Sequence, residues 1–255
     1  MSLKDSIISS VNDALDNAEL IWKDVGHHFL NEKLEKAFSA MRNSEKIPSK
    51  IPGFPFVQEN EPKVADFIAL VLDIRNSTKH LLEAISVRNA KASQLERILY
   101  ETTAINTAGS EIVNKYNGGI TEYLGDGFLA LYKVTDNKNP KEVYDAYDSS
   151  NFYISTALLE VNKILEDRYS LPALQIGIGM AYSKAIVTIV GHDKNLHPKA
   201  LGECIYRASK LSDGSNEIFI DERLKLLWPK SDNGTLKFQL RNRTSDFNSY
   251  LIKNS

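Results

Sequence analysis

The chain has a single cysteine, Cys204, in 255 residues. One thiol excludes an intrachain disulfide and any cysteine-built zinc site. Histidine is also scarce, and His27, His28, His80, His192 and His197 show no metal-ligand spacing. Charge of one sign is missing as well: 31 Lys and Arg against 33 Asp and Glu leave a net charge of −2. A polyanion finds no basic surface there, so no nucleic acid is expected as a partner. Long apolar runs are absent. The start, MSLKDSIISS, has no signal-peptide core, and the most apolar stretch, Phe67 to Leu72, has the length of a strand rather than a membrane span. No membrane association is expected, and the expected compartment is the cytoplasm. What remains, 42% hydrophobic and 25% charged residues, is the composition of a globular chain long enough to bury a core without staples.

Periodicity divides the chain. Ile7, Ile8, Val11, Leu15, Leu20 and Ile21, then Phe29, Leu30, Leu34, Phe38 and Met41, recur at helical spacing and predict helices from about Leu3 to Arg42. IPSKIPGFPF follows, and its three prolines and one glycine forbid a continuing helix. It reads as a linker, which separates an N-terminal helical segment, residues 1–61, from a main domain, residues 62–255. Beyond it strand and helix alternate. Val64–Asp73 is an apolar strand, and a helix capped by Ser77 or Thr78 runs to about Tyr116 and stops at Asn117-Gly118-Gly119. Ile120–Leu124 and Phe128–Tyr132 form a hairpin around Gly125-Asp126-Gly127, and a helix spans about Pro140 to Arg168. Leu174–Ala181 and Ala185–Val190 read as a second hairpin around Tyr182-Ser183-Lys184. A short helix (Gly202–Leu211) and strands at Glu217–Ile220, Leu236–Leu240 and Ser249–Ile252 complete the order. The fold class is α+β: a ferredoxin-like βαββαβ sheet with helices on one face, plus the N-terminal helices.

Two aspartates carry the chemistry. Asp73 closes the apolar strand in VLDIRNST, and Asp126 sits at the hairpin tip in YLGDGFLALY. In a β-α-β-β unit the first strand lies beside that hairpin, so both carboxylates reach one sheet edge. Paired carboxylates on rigid elements can hold two divalent ions roughly 3.5–4 Å apart, as nucleotidyl transfer requires. Each aspartate alone has an ordinary explanation, as a strand end or as an Asp-Gly turn. Period-two alternation puts Glu122 on the face of Ile120 and Leu124, where a charge needs a partner. On the helix Cys204–Leu211, Cys204, Ala208 and Leu211 make the apolar side, while Tyr206 and Lys210 share a polar stripe with Arg207 adjacent.

Four blocks, in order, resemble the class III adenylate/guanylate cyclases. VLDIRNST is similar to ADIRGFT, GGITEYLGDGFLALY to the glycine-flanked LGDGFLA hairpin, LQIGIGMAYSKAIVTIVG to the LRIGIHTG strand pair, and LGECIYRASKL to the GDxVNxASRL helix. The resemblance covers about Val64 to the C-terminus. It implies a class III nucleotidyl cyclase catalytic domain in which Asp73, the Ile74 carbonyl and Asp126 bind two divalent ions, Mn²⁺ or Mg²⁺. It also implies that backbone amides of Arg75, Asn76, Ser77 and Thr78 cradle the phosphates, and that a homodimer shares two active sites, each binding a nucleoside triphosphate.

Departures from the family pattern bear on the substrate. Where the family reads the base, this chain has Glu122 and Lys199. Where it has a ribose-orienting asparagine and a transition-state arginine, this chain has Tyr206 and Lys210. Lys210, with Asp73 and Asp126, is the expected catalytic set, and Arg207 is a further candidate for phosphate charge. Tyr206 stacks on a base or narrows its pocket. Lys237 and Lys253 are candidates for another phosphate contact. The pattern resembles the Pycsar pyrimidine cyclases of bacterial anti-phage defence, which implies cyclic UMP or cyclic CMP as product. Uridylate is placed first because N3–H is a donor in uracil alone. The alternatives are a guanylate or adenylate cyclase, with Glu122 on the guanine edge, and an inactive cyclase-like nucleotide-binding module.

Overall fold

The computed structural model describes residues 46–59, 61–77, 94–192, 195–230 and 234–254. The helices expected from Leu3 to Arg42, and the first part of the helix expected after Ser77, lie outside the described residues. The chain divides into two compact units: Lys50–Gly53, Asp66–Ala185 and Gly202–Ser255 form the larger, and Phe54–Ala65 and Ile186–Leu201, with the described residues up to Ser49, the smaller.

In the smaller unit the proline-rich stretch carries two short strands, β1 (Lys46–Pro48) and β2 (Phe56–Gln58), paired antiparallel. Proline is tolerated there because an isolated pair has outward-facing N–H positions that need no ladder partner. The outer end of β6 and strand β7 (His197–Gly202) also fall in this unit, and β7 pairs with β6.

The larger unit is built on a sheet of order β4-β5-β3-β6-β8-β10-β9. The sheet's strands are β3 (Lys63–Ile74), β4 (Gly119–Leu124), β5 (Gly127–Val134), β6 (Ile176–Val190), β8 (Glu217–Asp221), β9 (Leu236–Leu240) and β10 (Ser249–Asn254), of which the first residues of β3 and the last of β6 fall in the smaller unit. One face carries the main core. Ile68, Leu70 and Leu72 of β3 lie opposite Tyr132, Ala130 and Phe128 of β5, and Ile178 and Met180 of β6 opposite Ile218 and Ile220 of β8. Helices α1 (Gln94–Lys115), α2 (Glu142–Phe152) and α3 (Leu158–Tyr169) cover this face. The single helix expected over 140–168 is interrupted by a π-turn at Tyr153–Ala157, which leaves Tyr153 buried with its hydroxyl donating to the Ile105 carbonyl at 2.7 Å. Helix α1 ends as the sequence predicts, with Asn117 left-handed at φ 61° and Gly118 N–H donating to the Val113 carbonyl.

Strand β6 differs from the sequence expectation. Tyr182-Ser183-Lys184 is no turn; one strand of 15 residues runs through it. None of the three supplies a positive φ, and the chain reverses instead at Gly191, φ 118°. Ser183 stays in the strand because its hydroxyl accepts from the Cys204 amide and donates to the Lys184 carbonyl. Helix α4 (Glu203–Leu211) packs on the sheet face opposite α1, in a small core of Leu211, Phe219, Phe247 and Leu251. It comes so close that a Cβ on Gly177 or Gly179 would run into the carbonyls of Ser212 and Ala208. The small-residue face of β6 is thus filled by this chain's own helix. Helix α5 (Glu222–Leu227) was not expected; Asp221 caps it, accepting from Leu224 N–H at 2.9 Å.

Gly179→Val should lower stability by about 2 kcal/mol, since overpacking against backbone cannot relax as a side chain can. A urea melt with an unchanged m-value and a shifted midpoint tests this; an unshifted midpoint would show that α4 is not seated on β6.

Candidate active site

The last residues of β3 and the β4–β5 turn build the site. Asp73 stands directly opposite Gly127 in the antiparallel ladder, and Gly127 has no room for a Cβ because the Leu72 carbonyl occupies that space. Ile74 N–H donates to the Asp126 carbonyl at 2.9 Å, which pins the turn to the strand end. The Ser77 hydroxyl donates to Asp126 Oδ2 at 2.5 Å, and Thr102 donates to the Gly125 carbonyl. Asn76, where the family motif has glycine, takes φ 58°, a conformation asparagine tolerates.

This geometry presses two carboxyls together. Partial burial, and next the Asp126 charge, push the Asp73 carboxyl up to about 7, against the opposing pull of Arg75, whose guanidinium lies 3.6 Å away. Asp126 also bonds Asp73 side chain to side chain, and the Asp213 charge adds to the shift. Two crowded carboxylates at a strand end fit a divalent cation. The donors are all oxygen, and Mg²⁺ or Mn²⁺ is commonly held by one or two carboxylates with substrate phosphates completing the shell. No group of three or more Asp, Glu, His or Cys with metal-site geometry occurs among the described residues.

Other expected residues fall differently. The Arg75 amide is already spent, donating to the Gln175 carbonyl at 2.8 Å. Of the expected phosphate cradle that leaves Asn76 and Ser77, while Thr78 lies outside the described residues. Glu122 does not share a face with Ile120. A bulge at Thr121 sets Ile120 opposite Ala130 but Glu122 opposite Leu129, and these neighbours on β5 point to opposite faces. Glu122 therefore shares the face of Leu124, Leu129 and Asp73, away from α1–α3. It is half-buried. Lys199 belongs to the smaller unit, half-buried in β7.

Helix α4 divides its candidates. Tyr206 is exposed, its hydroxyl 3.4 Å from Asp246, with the Lys210 ammonium 5.6 Å from the ring centroid. Arg207 is buried instead, at 7% exposure. Its guanidinium bonds Glu203 at 2.7 Å, Glu222 at 2.6 Å and Asp221 at 3.2 Å, and lies over the Phe247 ring. An arginine so engaged cannot meet a phosphate, which corrects the expectation for it. The sequence held a signal for this: Cys204, Arg207, Ala208 and Leu211 follow the i, i+3, i+4, i+7 spacing of a buried stripe.

Sequence reasoning missed Ser77's hydroxyl and the pair Asp213–Arg243, joined at 2.6 Å. Arg243 lies in the connection between β9 and β10, whereas Lys237 and Lys253 face each other toward the hairpin's open end. Arg243 is itself tied to Asp213, whose charge acts on Asp73.

No family model and no curated protein matches the sequence significantly. Solved structures do match the fold. The guanylyl cyclase Cya2 superposes with a TM-score of 0.59 at 18% identity over 75% of this chain and 92% of its own. The adenylyl cyclase CyaB from P. aeruginosa gives 0.61 at 17% identity, over 76% and 97%. The guanylate cyclase domain of RhGC from Catenaria anguillulae, solved with GTP, gives 0.54 at 15%, over 75% and 98%. The chain has the fold of a nucleotidyl cyclase catalytic domain.

Two outcomes follow from this geometry. In the fold the Asp73 carboxyl keeps its proton to about pH 7, against 3.8 when unperturbed. Its contribution to stability therefore falls as pH rises between those values. With chelator present, Asp73→Asn should raise the urea midpoint more at pH 8 than at pH 5; an equal gain at both counts against the crowded pair. Arg207→Met should cost about 3–5 kcal/mol by stranding the buried Asp221 carboxylate, while Lys210→Met should cost less than about 1 kcal/mol. Paired denaturation curves decide, and equal losses would contradict the assignment.

Proposed function

We propose that this chain is a two-metal nucleotidyl cyclase that converts a pyrimidine nucleoside triphosphate, UTP ahead of CTP, to the 3′,5′-cyclic monophosphate and pyrophosphate. The observation that carries the reading is the meeting of Asp73 and Asp126 at one sheet edge, in the fold of solved cyclases. Asp73, Asp126 and the Ile74 carbonyl would hold two Mn²⁺ or Mg²⁺ ions. Bound there, such ions lower the pKa of the ribose 3′-hydroxyl and offset charge on the triphosphate.

The chain's own residues do the rest. Ser77 fixes the Asp126 carboxylate through its hydroxyl, and the Asn76 and Ser77 amides donate to phosphate oxygens. Arg75 places a cation beside Asp73. In a homodimer with two shared sites, Lys210 of one copy supplies charge at the triphosphate bound to the other, as a point charge rather than a fork. Tyr206 beside it narrows the base pocket or stacks on the base. Glu122, turned to the Asp73 face by the bulge, accepts from uracil N3–H or the cytosine amino group. A second-messenger role in anti-phage defence follows from the resemblance of the departing residues to pyrimidine cyclases.

A second reading, a cyclase-like module that binds nucleotide without turning it over, draws on one observation. Arg207 is committed to internal carboxylates, which leaves only a lysine at the exposed end of α4. Incubation of the purified protein with each of four ribonucleoside triphosphates and Mn²⁺, with products identified by mass spectrometry, should yield cyclic UMP as the main product. Asp126→Ala should reduce turnover about 10³-fold or more, since several kcal/mol of charge stabilisation go with the ions. Cyclic GMP alone would overturn the pyrimidine assignment, and no cyclic product from any triphosphate would favour the module.

A further inference from the structure

On the sheet face opposite Asp73, α2, α5, β9 and β10 line an open cleft of about 930 Å³, entirely within the larger unit. Its volume lies within the range of small-molecule sites, and the cyclase reading makes no use of it. Aromatic side chains form its walls. Trp228 sits at the centre, edge-on to Tyr144, Tyr147 and Phe238 with centroids 6.2, 5.7 and 5.0 Å away. These contacts hold the rings in place before any ligand arrives.

The charges on the wall are not balanced against one another. Lys225 and Lys230 both line the cavity, and neither has a carboxylate partner among the described residues. The Lys225 ammonium lies 3.8 Å from the Tyr250 ring centroid instead. Of the two lining carboxylates, Glu222 shares the Arg207 cation with Glu203 and Asp221, through Oε1 at 2.6 Å, and its buried Oε2 has no hydrogen-bond partner. Asp148 is a second lining carboxylate that can accept hydrogen bonds. The walls thus offer flat apolar surface, two cations and two carboxylates that can still accept.

We propose that this cavity is a second ligand site, one that binds a planar aromatic anion of mononucleotide size. The ring lies against Trp228 and its aromatic neighbours, the phosphate meets Lys225 and Lys230, and a base or sugar donor reaches Asp148. The inference is independent of the cyclase reading, because no residue of the Asp73–Asp126 edge takes part.

Trp228 supplies its own reporter. The chain has two tryptophans, and Trp22→Phe leaves Trp228 alone. Titrating that full-length variant with UMP or AMP, without divalent cations, should change its emission saturably. The change should persist in Asp73→Asn and weaken at least tenfold in Lys225→Glu. Lys230→Glu, at an exposed position, should weaken it likewise and guards against a folding failure at Lys225. No saturable change with either nucleotide up to about 1 mM, the weak end of specific binding, overturns the proposal. So does a response that survives both lysine substitutions or disappears in Asp73→Asn.

Discussion

A strand end and a hairpin tip are locked together at one point, where Gly127 lies so close to β3 that the Leu72 carbonyl fills the space of a side chain, and the placement of both aspartates follows from that contact. Any residue with a Cβ at 127 would lift the turn away and carry Asp126 with it. With glycine there, the Ile74 amide reaches the Asp126 carbonyl and the two carboxyls must share one small space. Crowding like charges costs free energy, which the buried ladder between β3 and β5 offsets. The same crowding creates a demand for positive charge that Arg75 meets only in part.

The sheet's two faces divide the labour around this point. Alternate residues of β3 and β5 bury Leu70, Leu72, Phe128 and Tyr132 under α1–α3, and a rigid packed face keeps the strands from relaxing apart. Residues of the other parity, Asp73 among them, face the opposite way. The bulge at Thr121 adds Glu122 to that set without moving Ile120 from the core. One inserted residue thus transfers a carboxylate from the covered face to the face of Asp73.

What could be read in the sequence was local. The apolar β3 run, the glycine-flanked Asp126 and the Asn117 helix stop each declare themselves within a few residues, and from them the strand–helix–hairpin order and the aspartate pair follow. What could not be read depends on partners far along the chain. Arg75's amide is lost to Gln175, a hundred positions away. The burial of Arg207 depends on Asp221 and Glu222, and the continuity of β6 on an α4 that seats against Gly177 and Gly179. The face of Glu122 turned on a bulge, which strict alternation cannot anticipate.

Arg207 and Lys210 show why two neighbouring cations on one helix are not equivalent. Arg207 bonds three carboxylates from α4, the end of β8 and the start of α5, which a planar fork with five donors is suited to do. A buried cluster of this kind adds little net stability compared with apolar packing, but it penalises any other placement of its members. Its effect is to fix the rotation of α4. With Arg207, Cys204, Ala208 and Leu211 turned inward, Tyr206 is directed to solvent and Lys210 stands beside it. A long, flexible lysine held on a helix that cannot rotate can extend to a separate charged group, whereas an arginine fork at that position would need its target already in register.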